Sequence, residues 1–365
     1  MKSRFLLQMA FVFIFISTLH AQTWTALTSG TTQNLKGVYF TDANTGYAVG
    51  GNAVIKTTNG GTSWTTLTTG VVGAVILYQA VRFVDANTGY VVGVNGANGL
   101  ILKTTDAGAT WAQHTSGTIQ SLNAFYYLNP NHQYAVGGAG VIVTSPGGST
   151  WSTQTSGTIQ PLKGIYFSDF NTGCAVGTTT LIRTTNGGTN WIAATGPSGT
   201  WNGLAFVSAT MGYAISTEGS IIKTTDGGAN WAAQTSGVTS GLYAVSFADA
   251  NTGYAVGVGQ ASGSSRINLV LKTTNGGTNW VGQAGLTASV GLAAVYAVNA
   301  TLAYAVGDAG TIFKTGTSTP ILPRNRLSHK QSTVSNVFDL RGRKLSLQNV
   351  WHGNLIFPEW SPHLR

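Results

Sequence analysis

Carboxylates do most hydrolytic chemistry, and cleaving a glycosidic bond takes two of them flanking that bond. Between residues 22 and 319 the chain carries seven Asp and one Glu, and each falls in a slot that recurs along the sequence. Asp42, Asp85, Asp169 and Asp249 share one turn position, Asp106 and Asp226 a second, and Glu218 and Asp308 a third. Acids spent on a repeated turn are architecture, and none is left over to protonate or attack a substrate. His114 and His132 are the only histidines in this span, too few for a convincing metal cluster. No Gly-x-Ser-x-Gly elbow or phosphate loop occurs. The expectation is no catalytic residue, no metal and no cofactor. Cys174, the sole cysteine, excludes an intramolecular disulfide and reads as a small apolar filler.

The recurring slots belong to a repeat. Thr57-Thr58-Asn59-Gly60-Gly61-Thr62-Ser63-Trp64 returns at 104–111, 184–191, 224–231 and 273–280, with a worn copy at 144–151. Its pattern, Ser/Thr-x-Asp/Asn-x-Gly-x-x-Trp, is that of the Asp-box. The acid or amide bonds nearby backbone amides and glycine supplies positive φ, so Asn59, Asp106, Asn186, Asp226 and Asn275 are assigned to the turn. Trp64, Trp111, Trp191, Trp231 and Trp280 are assigned to packing between neighbouring repeats. A second signature, Gly-Tyr-Ala-Val-Gly, places Tyr47, Tyr90, Tyr134, Tyr213, Tyr254 and Tyr304 at one position, with Cys174 in the fourth unit. These read as core residues with a tethered hydroxyl. A third places Lys56, Lys103, Arg183, Lys223, Lys272 and Lys314 just before the box. Six cations could form a circle, but solvated side chains at strand edges are the reading preferred.

Successive box tryptophans, starting from Trp24, lie 40, 47, 40, 40, 40 and 49 residues apart. Units of about 40–50 residues with strand content are propeller blades. Within one unit, 35–40, 47–50, 53–57 and 64–67 read as four strands separated by turn residues. The seventh unit lacks its own tryptophan, whereas Thr23–Leu27 is a fourth strand without its first three. Pairing of 23–27 with 311–315 would close the ring and remove its open edges. The fold expected is therefore all-β, a seven-bladed β-propeller of four antiparallel strands per blade, sealed by the N-terminal strand over 22–318.

Lys2 and Arg4 precede an apolar run from Phe5 to Leu19 that ends in Leu19-His20-Ala21, the layout of a signal peptide cut after residue 21. The run is shorter than the ~20 residues a spanning helix needs, and no other segment could span as a helix. The protein is expected to be secreted: exported through the inner membrane, then periplasmic, cell-surface or extracellular. The formal charge of +9 sits mainly at the ends. Residues 22–319 carry ten cations against eight carboxylates, while 320–365 carry seven against two. A nucleic-acid groove is not supported.

The motif pair running from Phe40 through Asp42, Asn44 and Tyr47 to Lys56, Asn59 and Trp64 resembles the photosystem II stability and assembly factor family, over about residues 22–316. That resemblance implies a non-enzymatic seven-bladed scaffold that holds partner proteins during assembly of a membrane complex. Sialidases share the Asp-box, so a carbohydrate-binding or sialidase-like module is the alternative, with a glycan as partner. After a linker at 319–334, the stretch Val337–Leu345 within 335–365 resembles the strand–turn–strand of C-terminal sorting domains of the gliding-bacteria type secretion system.

Rigid propellers bind through loops. The fourth-to-first and second-to-third connections emerge on one face, and the long insertions 71–79, 95–99 and 257–268 all use them. That face is the expected binding surface. Arg82, Arg266, Trp201 and Arg183 are the candidate contacts, toward a protein of the cell envelope bound by a monomer.

Overall fold

The computed structural model describes residues 22–260, 266–284, 286 and 290–317, with the pairs 337–338 and 344–345. The expected leader at 1–21, the linker at 319–334 and most of 335–365 lie outside the described residues. The chain divides into two compact units, 1–319 and 320–365.

In the first unit the repeats fold into seven four-stranded antiparallel sheets. Blade I runs Gly37–Phe40, Gly46–Gly50, Ala53–Thr57 and Thr65–Thr66. Blades II to VI repeat that order, and blade VII consists of Leu292–Ala297, Ala303–Gly307, Ile312–Thr317 and Gln22–Leu27. The first strand of each blade is innermost and touches the first strands of its two neighbours. The ring is a closed seven-bladed propeller, as the repeat spacing implies.

Closure uses the N-terminal strand. Trp24 pairs with Thr315 and Leu27 with Ile312 in antiparallel register. Gln22 also substitutes for the turn that blade VII lacks. Its Oε1 accepts from the Tyr254 hydroxyl at 2.8 Å and from Lys272 Nζ, while its Nε2 donates to the Thr301 carbonyl.

Aromatic stacks join the blades. Tyr304 of blade VII lies flat on Phe40 of blade I at 3.8 Å, and Phe40 meets Trp64 edge-on at 89°. Tyr47 on Phe83, Tyr134 on Phe167 and Tyr213 on Phe247 repeat the stack, and Trp111, Trp191 and Trp280 repeat the edge contact. Such pairs add about 0.5–1.5 kcal/mol each beyond area burial. The glycine that opens the second strand makes room for the ring: a Cβ on Gly46 would sit 2.4 Å from Phe40.

Two second-to-third hairpins outgrow the rest. In blade II, Gly89–Asn95 pairs with Asn98–Thr104, and in blade VI, Gly253–Gln260 pairs with Arg266–Thr273. Residues 261–265 between the latter strands lie outside the described residues. In the second unit, Val337–Phe338 and Lys344–Leu345 form an antiparallel pair. Among the described residues no helix is long and apolar enough to cross a membrane.

Candidate functional site

The seven innermost strands enclose a central funnel of about 980 Å³. A β-bulge near the start of six of them shifts the register by one residue, so positions three apart both reach the lumen. The outer position carries Lys36, Gln79, Asn123, Lys163, Asn202, Tyr243 and Ala293 in blade order I to VII. The deeper position carries Tyr39, Arg82, Tyr126, Tyr166, Ala205, Ser246 and Tyr296 in blade order I to VII. Polar groups therefore mark the loop-face end, and an aromatic band marks the other.

Arg82 interrupts that band. Its guanidinium stands 5.8 Å from the Tyr39 ring and 5.6 Å from the Tyr126 ring, and its Nε is buried without a hydrogen-bond partner. Burial pushes the Tyr126 hydroxyl up to about 12, and it donates to the Phe167 carbonyl at 2.8 Å. Tyr166 donates to the Ser208 carbonyl, and burial raises it as well. Tyr296 is raised by burial and then by Tyr39, whose ring lies 4.7 Å away. These phenols are neutral across the physiological range. In the outer ring Lys163 donates to Asn202 Oδ1 at 2.7 Å and is lowered by burial, with Glu218 pulling the other way. Lys36 pairs with Asp308 at 3.8 Å.

Carboxylates sit mostly in the turns. Asp42 Oδ1 accepts from the amides of Asn44 and Thr45, and Asp85, Asp169 and Asp249 repeat that pair of bonds. Those amide bonds hold all four below the usual carboxylate range. In blade II the box Asp106 is held down to about 2, chiefly by the Thr110 hydroxyl. Burial would raise Asp226 and Glu218, but hydrogen bonds outweigh it and both are lowered. Asp308 is the one carboxylate among the described residues that lines the funnel.

Lys56, Lys223 and Lys314, each just before a box, are not the solvated edge charges anticipated. Lys56 Nζ and the Tyr47 hydroxyl both donate to the Ala107 carbonyl of the next blade's box, at 2.8 and 2.9 Å. Lys223 and Tyr213 converge likewise on Gly276, and Lys314 and Tyr304 on Gly60. Each ammonium also faces its tyrosine ring at about 5.3–5.5 Å. A carbonyl at a box turn is exposed to two donors because positive φ at Gly60 and its equivalents turns it outward. The row is an inter-blade clasp rather than a cation circle. In blade IV, Cys174 and Arg183 occupy the two slots; the thiol is buried and burial pushes it up.

The candidate contacts separate. Trp201, assigned to the surface, is only 1% exposed. It fills the position that Leu35, Leu122, Leu162, Leu242 and Leu292 hold elsewhere, packed on Val176 and Trp231. That is a correction: the indole is core. Arg82 faces the funnel instead of the outer surface, and Arg183 is half-buried in the clasp row with its Nε unpaired. The backbone of Arg266 begins the third strand of blade VI, while its side chain lies outside the described residues. The structure does not bring these four together. Sequence reading missed Tyr39, Tyr126, Tyr166, Tyr296 and Lys163. Their signal is a first-strand position, just before the conserved-register Phe of blades I, II, IV, V and VI, that varies as Tyr, Arg, Tyr, Tyr, Ala, Ser and Tyr while its neighbours repeat.

The loop face carries a further feature. Among the described residues ten large apolar side chains are exposed, and seven of them lie toward this face: Val72, Val75, Ile119 and Ile159 in its connections, and Leu77, Tyr243 and Ile267 at the strand ends beside them. Val72 is 91% exposed and Ile159 82%.

The family model of the photosynthesis system II assembly factor YCF48 matches residues 16–118. Among solved structures, YCF48 bound to a D1 peptide has a TM-score of 0.64 at 19% identity, covering 80% of this chain and 96% of that one. YCF48 from Cyanidioschyzon merolae gives 0.63 at 17%, covering 80% and 98%. The GH74 enzyme of Niastella koreensis gives 0.61 at 17%, and the match spans about half of it, 53%, against 80% of this chain. No curated protein matches the sequence significantly.

Proposed function

We propose that this protein is a non-enzymatic scaffold that captures a segment of a protein partner on its loop face. The observation that carries the reading is the concentration of exposed apolar side chains there, Val72, Val75, Leu77, Ile119, Ile159, Tyr243 and Ile267. Exposed apolar side chains gathered on one face of a rigid frame and flanked by polar groups suit protein association. The Thr, Ser and Gln residues around Ile119 and Ile159 supply that rim. The similarity to YCF48, one structure of which holds a D1 peptide, supports a peptide segment as the thing held. The engagement of the turn carboxylates by backbone amides supports a role without acid–base catalysis, because a general acid near neutrality needs a raised pKa.

The leader-like residues 1–21 and the sorting-like residues 335–365 support export to the envelope, with a membrane complex as the place where the partner is met. The reading is tested with Val72→Asp, Ile119→Asp and Ile159→Asp combined. All three side chains are exposed, so the fold is retained. Capture of an envelope protein from host extract is expected to fall by at least about tenfold, since each buried apolar side chain contributes about 1.5–3 kcal/mol. Capture equal to that of the unaltered protein contradicts the reading.

A further inference from the structure

The funnel holds a charge that the scaffold reading does not use. Among its lining residues Lys36, Arg82 and Lys163 are cations and Asp308 is the one carboxylate described. Lys36 is paired with Asp308 and Lys163 with Asn202. Arg82 makes no ion pair and no hydrogen bond among the described residues, and its Nε is buried. An arginine carries a planar fork of donors suited to a carboxylate, and leaving buried donors unmet is costly.

The surroundings add shape. Tyr39 and Tyr126 flank the guanidinium, and together with Tyr166, Tyr296 and Arg82 itself they fill the deep position of five consecutive blades, VII through IV. Blades V and VI place only Ala205 and Ser246 at the same level. In a seven-membered ring, blade II looks across at the boundary between blades V and VI. The lumen is therefore lined by small side chains directly opposite Arg82, with the Tyr39 and Tyr126 rings on either side of the guanidinium. The Ser246 hydroxyl accepts from the Ala297 amide, which fixes its oxygen on that side.

From this geometry we infer that the deep end of the funnel is a binding site for a carboxylate attached to a flat, apolar group. The carboxylate takes the fork of Arg82, and the flat group stacks against the tyrosines and extends toward Ala205 and Ser246. The volume of about 980 Å³ falls in the range of small-ligand sites. Entry is from the loop-face end, past Lys36 and Lys163. The same chemistry is offered by a free aromatic acid and by the C-terminus of a chain ending in an aromatic residue, and the test has an arm for each.

Full-length protein is titrated with benzoate, benzamide and acetate while the Arg Nε–H resonances are followed, that of Arg82 being assigned by its loss in Arg82→Gln. Benzoate is expected to shift the Arg82 resonance, and benzamide and acetate to bind at least about tenfold more weakly, the first lacking the charge and the second the flat group. Arg82→Gln, with an unchanged melting temperature, is expected to weaken benzoate by at least about tenfold when binding is followed on the ligand. Tyr126→Leu is expected to weaken it by about three- to tenfold, through the lost stacking face. In the second arm, a pentapeptide ending in Phe is compared with its C-terminal amide, and preference for the free acid extends the site to chain termini. Equal binding of both peptides, at a strength matching benzoate, overturns the carboxylate assignment. So does benzoate binding that Arg82→Gln leaves unchanged, or inorganic phosphate binding to Arg82 more tightly than benzoate. Capture on the loop face is independent of Arg82, so the failure of one proposal is distinguishable from the failure of the other.

Discussion

Asp106 and Asp226 occupy a slot that Asn59, Asn186 and Asn275 fill in other blades, with the same side-chain oxygen accepting the same amide. The charge is therefore dispensable to the turn, and what it adds is pH dependence. A carboxylate held at about 2 against an ordinary 3.8 stabilises the fold fully above the higher value, and that contribution is lost as pH falls toward the lower. The double change Asp106→Asn and Asp226→Asn is expected to leave stability at pH 7 nearly unaltered and to flatten its decline between about pH 4 and 2. Urea unfolding at a series of pH values measures it; an unchanged acid slope contradicts the assignment. The clasp residues give a second test. Lys56→Met leaves the Tyr47 stack intact but removes a donor to Ala107, and is expected to cost about 0.5–1.5 kcal/mol in the same assay. A solvated edge lysine would cost nothing. The box turns and the tyrosine core were legible because side-chain types recur at a fixed spacing. The clasp was not, because its acceptor is a backbone carbonyl in the next blade around the ring, which no residue type announces. Trp201 was misread for a related reason: it lies outside the tryptophan register, yet it stands at the buried leucine position.

Among the strands, Gln22–Leu27 carries the largest structural consequence for its length. It pairs with Ile312–Thr317 along its whole extent, so without it blade VII would present an open edge. Its pairing could be read in advance, since a fourth strand at one end of the repeat array and a missing one at the other are complementary. The substitution of a glutamine side chain for an absent turn could not, because the match is one of atom positions and not of motif. Gln22→Ala removes the acceptor shared by Tyr254 and Lys272, leaving the Lys272 ammonium unmet and the Tyr254 hydroxyl with only its long bond to the Ala300 carbonyl. The expected destabilisation is roughly 1–3 kcal/mol, read by chemical unfolding. An effect below about 0.5 kcal/mol would show that water satisfies those donors.

Across the whole ring, the two ends of the funnel differ because the repeats vary at the positions that face the lumen. Strands, boxes and stacks are held nearly constant from blade to blade. The deep lumen position and the fourth-to-first loops are not, and there lie Arg82, the four funnel tyrosines and the exposed apolar residues. The insertions that mark the loop face were visible in the spacing of 47 and 49 residues between successive tryptophans. The funnel was invisible, because inward direction is set by a bulge in six of the seven first strands and bulges leave no mark in a single sequence. The central claim concerns which end of this molecule meets a partner. Hydrogen–deuterium exchange on the captured complex against the free protein tests it most directly. The account predicts slowed exchange in 69–79, 95–99, 117–121 and 157–161. Slowing confined to the opposite turns, 41–46, 168–172 and 248–252, would contradict it.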